Sequence, residues 1–381
     1  MAYKVKFVNP VKNYQMVKDE IDAAYFEVMS KGDLIDRGQL KNFEENLAKF
    51  VGTKFAVGLN SGYDALHISL RAAGIGQGDE VIVPAHTFVA SCSAIVNVGA
   101  TPVLVDVGKD FNIDCDKIED AVTSRTRGII PVHLSGYMAN MVRIMAIASK
   151  YKLVVVEDSC QSLGASMIED LLGVTGQGSG EKRMAGAWGL TGCLSFYPFK
   201  ILGGYGDGGA ITTNDPDVAL FATRMRYNGE DRDTGEYHGH GFTCLLDNMQ
   251  AAFLDVKLRY LPQWIVRRKA IAESYRKALS DIPDLLLPHY NDPRRDHIYQ
   301  NYTVRSKQGD VFSDFLKTNG IEVLTQFRKP YYKHAALKLE DRGFPETEAL
   351  SREVCSLPMN VEISDEEVDY VIAVVRKFYE K

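Results

Sequence analysis

An alternation of two patterns runs through the first half of this chain and limits what it can become. Five short apolar runs are separated by stretches of helical pattern: "KFAVGL" (54–59), "EVIVP" (80–84), "TPVLVDV" (101–107), "RGIIPVHL" (127–134) and "KLVVVED" (152–158). The runs are rich in valine and isoleucine and almost continuously apolar, which suits strands buried on both faces of a parallel sheet. Between them lie "SGYDALHISLRAAG" (61–74), which stops on a glycine, "TFVASCSAIVNVG" (87–99) and "NMVRIMAIASKYK" (140–152). Strand and helix taking turns predicts an α/β layer fold with crossover connections.

The pattern changes near Asp247, where a long amphipathic stretch begins that contains Pro262. Proline removes a backbone donor, so this helix is expected to bend or break there. "YQNYTVRS", "IEVLTQF" and the helical "DEEVDYVIAVVRKFYEK" follow and suggest a smaller α+β unit. We therefore expect a large domain over 1–255 and a small one over 256–381. There is no internal repeat. The one biased stretch, "GVTGQGSGEKRMAGAWG" (173–189), reads as a mobile loop.

Composition excludes several classes of function. With 45% hydrophobic and 25% charged residues over 381 positions, the chain reads as an ordinary globular protein. A net charge of −6 argues against a nucleic-acid or anionic-membrane partner. No apolar run approaches the roughly 20 residues that span a bilayer, and the first residues lack the apolar core of a signal peptide. The six cysteines show no CxxC spacing, so neither a disulfide framework nor a structural zinc site is expected. The expectation is a cytoplasmic enzyme without a metal.

The chemistry gathers at the ends of the apolar runs. Asp158 closes "VVVED", at the carboxyl end of a strand, where ligands of open α/β sheets sit. It could cap a turn, or it could hold a protonated ring nitrogen, with Gln161 in reach of the same ligand. Ser61 and Gly62 lie on the turn entering a helix, a position that suits either a plain N-cap or an anion. Phe88, in "PAHTFVAS", could be core or could stack on a flat ring; its neighbour His86 is a weak candidate base. Lys200 sits between aromatic residues and the glycines of "GGYGDGG", with no charge partner beside it, and an amine in a closed site can form a Schiff base. Ser195, five residues earlier, could add a hydroxyl to a phosphate. A phosphate-binding helix start, a carboxylate for a pyridinium nitrogen and a lysine for an aldehyde are what pyridoxal 5′-phosphate (PLP) requires.

"NSGYDALH", "PAHTFVAS", "VVEDSCQSLGA", "SFYPFKILGGYGDGGAITTND", "LDNMQAAFL" and "SLPMNVEISDEEVDYVI" occur in this order. From about Gly32 to the C-terminus the chain resembles the DegT/DnrJ sugar aminotransferases, fold type I PLP enzymes with an aspartate-aminotransferase-like α/β fold. The resemblance implies that Lys200 forms the Schiff base, Asp158 pairs with the pyridine nitrogen, Phe88 stacks on the ring and Gln161 lies near the ring hydroxyl. Ser61, Gly62 and Ser195 would hold the phosphate. It further implies a homodimer with shared sites and transfer of an amino group, from L-glutamate, to a keto or aldehydo sugar, nucleotide-linked by family default, in amino-sugar biosynthesis. Three departures stand out. Tyr63 replaces a threonine in the phosphate motif, Thr243 replaces an asparagine that reaches the neighbouring subunit's cofactor, and Leu245 replaces an arginine. The cross-subunit contact is then expected to be water-bridged or moved to Asn228. Two rivals are a PLP-dependent sugar dehydratase, in which histidine takes the lysine's place, and a non-catalytic regulator of the same fold.

Overall fold

The computed structural model describes residues 3–169, 180–288, 290 and 292–380. In chain order its first strands are β1 (Phe55–Leu59), β2 (Glu80–Pro84), β3 (Thr101–Val105), β4 (Thr126–Ile129) and β5 (Val154–Asp158). They are followed by β6 (Ser166–Glu169), β7 (Glu181–Met184), β8 (Thr191–Ser195) and β9 (Gly209–Thr213). Seven of these form one sheet in the order β1-β9-β8-β5-β4-β2-β3. Its pairs are parallel from β3 through β8, and β9 runs antiparallel to both of its neighbours. The fold is thus the α/β layer architecture that the alternation predicts, with all five apolar runs in the sheet.

Elements stop for local reasons. The run 127–134 yields only a short strand because Pro131 cannot donate to the ladder. The helix Met141–Tyr151 closes on Lys152 in the left-handed conformation (φ 55°), which turns the chain into β5. Apolar residues cover both sheet faces: Phe43, Leu47 and Leu254 belong to one core, Leu66, Ile68 and Ile211 to the other.

The C-terminal part builds its own sheet, β10-β12-β13, from β10 (Leu285–Leu286), β12 (Tyr302–Ser306) and β13 (Val354–Leu357). The short β11 (Arg295–Asp296) instead pairs with β6. One helix, Asn248–Leu279, joins the two parts over 32 residues and is not broken at Pro262. Its Leu254, Leu258 and Leu261 pack in the first core, whereas Ile271, Tyr275 and Leu279 pack in the C-terminal one. Burial on both sides of Pro262 offsets the roughly 3 kcal/mol that an interior proline costs. Positions 255 and 256 therefore lie within this helix and not in a linker.

The expected loop over 173–189 is only partly a loop. Residues 173–179 lie outside the described residues, but Glu181–Met184 is a strand paired with β6. Beyond it the turn is held from β5: the buried Glu157 carboxylate accepts N–H groups of Gly186 (2.9 Å), Trp188 (2.6 Å) and Gly189 (2.8 Å). Three N–H donors on one buried carboxylate fix that turn. Among the described residues no helix is long and apolar enough to cross a membrane.

Candidate active site

The carboxyl edge of the sheet brings the sequence candidates together. Asp158, at the end of β5, is 6% exposed. Its Oδ2 accepts the Ser91 hydroxyl at 2.7 Å and its Oδ1 the Cys160 N–H at 3.2 Å. Among the described residues no cation comes within ion-pair distance of it. A carboxylate this buried is costly unless a positive group faces it. Asp158 is therefore no simple turn cap; its surroundings suit a protonated ring nitrogen.

Lys200 is the matching amine. Its backbone N–H closes a turn onto Tyr197 O at 2.8 Å. Its Nζ has no hydrogen-bond or ion-pair partner among the described residues. Both charges act on Cys160: burial drives that thiol well above its ordinary pKa, Asp158 adds to the rise and Lys200 opposes it. Lys200 and Asp158 are thus both near enough to Cys160 to act on its thiol.

Beside the Cys160 thiol lies a cradle without side chains. Gly62 opens the helix Gly62–Ala72, and a Cβ there would lie 2.6 Å from Cys160 Sγ and 2.9 Å from Ser195 Cβ. On Gly209, a Cβ would lie 2.3 Å from the carbonyl of Ser61. Ser61, Gly62 and Ser195 thus converge because two glycines let the backbones close up. The N–H groups of Gly62 and Tyr63 have no protein acceptor among the described residues, and the helix dipole adds positive potential there. Ser61 is also the N-cap: its Oγ accepts the Asp64 N–H at 3.1 Å and donates to the Asp64 carboxylate at 2.6 Å.

Phe88 is not core. It follows the end of β2 as the N-cap of the helix Val89–Asn97, and its ring is 59% exposed at the sheet edge. Gln161 is buried, and its Oε1 accepts the Ser135 N–H at 2.8 Å, which leaves its amide donors without a protein partner among the described residues. His86 is buried too, and burial holds its imidazole at a pKa of about 4, so it is neutral and ill suited as a base at ordinary pH.

Three candidates sit elsewhere. The Tyr63 hydroxyl receives a hydrogen bond from Asn97 at 2.5 Å, so its side chain leaves the cradle and only its N–H remains there. Asn228 and Thr243 are exposed and bonded to each other, Thr243 Oγ1 to Asn228 Oδ1 at 3.1 Å. Neither is hydrogen-bonded to the group around Asp158. Sequence reading missed Ser91 and Cys160, whose only signal is proximity to motif residues, and Gln300, which has none. It also missed β8 and β9, because "TGCLS" and "GAITT" are too short and polar to read as strands.

The residues present therefore fit PLP: an unpaired carboxylate for the ring nitrogen, free amide donors beside it, an unpartnered amine and an anion cradle. The model of the DegT/DnrJ/EryC1/StrS aminotransferase family matches residues 15–376. The chain belongs to that family. A "Pleiotropic regulatory protein" of Geobacillus stearothermophilus is 37% identical over 373 residues, covering 97% of this chain and 96% of the relative. The "dTDP-3-amino-3,4,6-trideoxy-alpha-D-glucose transaminase" of Streptomyces venezuelae is 36% identical over 382 residues, covering 99% and 97%. The crystal structure of S. venezuelae DesV superposes with a TM-score of 0.92 at 35% identity, covering 100% of this chain and 99% of that one. Further solved relatives carry the cofactor in its PLP and PMP forms. This aminotransferase is accordingly PLP-dependent.

Proposed function

We propose that this aminotransferase moves an amino group from L-glutamate to the carbonyl of a nucleotide-linked keto or aldehydo sugar, as a step in making an amino sugar. The observation that supports it most is that an uncompensated buried carboxylate, Asp158, and an unpartnered amine, Lys200, both lie near enough to Cys160 to act on its thiol. The cofactor supplies an aldehyde to receive the amino group and a conjugated ring to accept an electron pair.

The chain's own residues do the rest. Asp158, its carboxylate oriented by Ser91 and the Cys160 N–H, would hold a proton on the ring nitrogen. Gln161 offers its amide N–H to the ring hydroxyl, and Phe88 covers one ring face. The N–H groups of Gly62 and Tyr63, with Ser195, take the phosphate. Lys200 would hold the cofactor through its aldehyde and, once freed by the amino donor, would carry the proton at the reacting carbon as general base and acid.

We also propose a homodimer in which Asn228 and Thr243 serve the partner's site, with residues 1–255 binding the cofactor and 256–381 covering it. Exposed apolar residues support an interface: Phe26, Leu34 and Ile35 early in the chain, and Phe88, Tyr197 and Phe199 around the site. A fully active monomer by light scattering overturns this.

Lys200 counts against the dehydratase reading. The G. stearothermophilus relative, a pleiotropic regulatory protein, favours a second reading, a regulator that does not turn over. One experiment separates them. The cofactor absorbance of the purified protein should bleach with L-glutamate and return when a panel of nucleotide-linked and free keto sugars is added. Bleaching by other amino acids alone would replace the donor; no bleaching at all would favour the regulator.

A further inference from the structure

One side chain grips the backbone on both sides of Lys200. Gln300 Nε2 donates to the carbonyl of Phe199 at 3.0 Å, and Gln300 Oε1 accepts the N–H of Ile201 at 2.7 Å. A primary amide presents a donor and an acceptor on one rigid plane. Here that plane matches the carbonyl before Lys200 and the N–H after it.

Gln300 is itself anchored. It is 6% exposed and enters β12, and its own carbonyl and that of Tyr299 accept Arg268 Nη1 at 3.1 and 2.9 Å. Tyr299 is in the left-handed region (φ 54°), a conformation that needs such support. Further along the lysine loop, Lys257 Nζ donates to Gly203 O at 2.8 Å and Gln250 Oε1 accepts the Tyr205 N–H at 2.9 Å. A cavity of about 270 Å³ lies against this loop, lined by Lys257 and Arg268 among others. Lys257 Nζ and Arg268 Nη1 serve backbone carbonyls there, whereas Arg268 Nε has no hydrogen-bond partner among the described residues.

We propose that Gln300 is the positioning residue for Lys200: its two-point clamp sets the peptide planes on either side and hence the direction in which the lysine side chain leaves the loop. The inference rests on Lys200 being the lysine that bonds the cofactor. Displacement of a reacting group by about 1 Å is worth roughly 10²-fold in rate. Both ends of its amide engage the loop backbone, so Gln300 acts on Lys200 through that geometry.

The test uses the whole protein and the variants Gln300→Ala and Gln300→Glu. In cofactor-free protein, the Ile201 amide should exchange with deuterium markedly faster in Gln300→Ala than in wild type. In cofactor-loaded protein, borohydride should fix the cofactor on Lys200 about 10²-fold more slowly, and the pH midpoint of the cofactor absorbance should shift. Gln300→Glu provides a rescue and covers the case in which alanine prevents folding. Protonated, the acid has both a donor and an acceptor and restores the clamp; ionised, it repels the Phe199 carbonyl. Fixation in Gln300→Glu should therefore approach the wild-type rate at acidic pH and fall as the pH rises. Unchanged fixation and midpoint in a variant that is merely less heat-stable would overturn the inference and leave the Lys200 reading standing. Fixation of the wild type on another lysine would overturn both.

Discussion

The hydroxyl of Ser91 donates to Asp158 Oδ2 over 2.7 Å and lies 3.0 Å from the Thr87 hydroxyl, so β5 and the helix Val89–Asn97 meet at a buried carboxylate that lacks a cation among the described residues. That contact orients the carboxylate proposed to face the ring nitrogen.

Asp158→Asn should keep its cofactor but slow the glutamate half-reaction by about 10²-fold or more, the scale on which a positioned electrostatic group acts. Ser91→Ala removes one hydrogen bond to a charged group, worth about 1.5–3 kcal/mol. A loss of roughly 10- to 150-fold is expected. Stopped-flow absorbance reads both, and a fully active Asp158→Asn would mean that another carboxylate does this work.

Cofactor-free Lys200→Ala should melt at the wild-type temperature, because Lys200 Nζ makes no hydrogen bond or ion pair among the described residues. Amino transfer should fall by about 10²–10⁴-fold, as for loss of a positioned acid–base group. Borohydride should leave no cofactor attached. A near-normal rate would reduce Lys200 to a surface lysine.

The two cradle glycines should differ in kind. In Gly62→Ala the new methyl meets Cys160 Sγ at 2.6 Å, the end of a side chain that can turn, and Ser195 Cβ at 2.9 Å, which moves only with its backbone. Weaker cofactor affinity in a folded protein is expected. In Gly209→Ala the obstacle is the Ser61 backbone at 2.3 Å, which cannot move without parting β9 from the helix start. Loss of soluble protein or a large drop in Tm should follow. Equal effects in both would show that the cradle is softer than its geometry.

Lys257 makes stability depend on pH. Burial lowers its pKa from 10.5 to about 8, with Glu362 opposing. Between those values the unfolded chain holds more protons than the folded one, so stability rises with pH from about 8 to 10.5 and this contribution is flat below. The whole rise is at most about 3 kcal/mol. Lys257→Met should flatten that part of the profile in denaturant titrations; an unaltered slope would assign it to another group.

Much of this protein can be read before it folds. The valine-rich runs force a parallel sheet, because strands without a polar face must be covered on both sides. That places Asp158 at a carboxyl edge, and the residues around Lys200, Asp158 and Gly62 name the cofactor by their chemical types. The sheet's antiparallel member and the hairpin β6–β7 were not legible, since short strands of glycine, threonine and charge carry no periodic signal. Nor were the partners of the reacting groups. Ser91 reaches Asp158 across 67 positions and Gln300 reaches Phe199 across 101, and nothing in the local pattern of either marks it. Residue types and their order are properties of the chain, but which donor meets which acceptor depends on how strands stack and where one long helix crosses from core to core. Hydrogen bonds act only near 3 Å, so those pairings were decided by the tertiary structure alone.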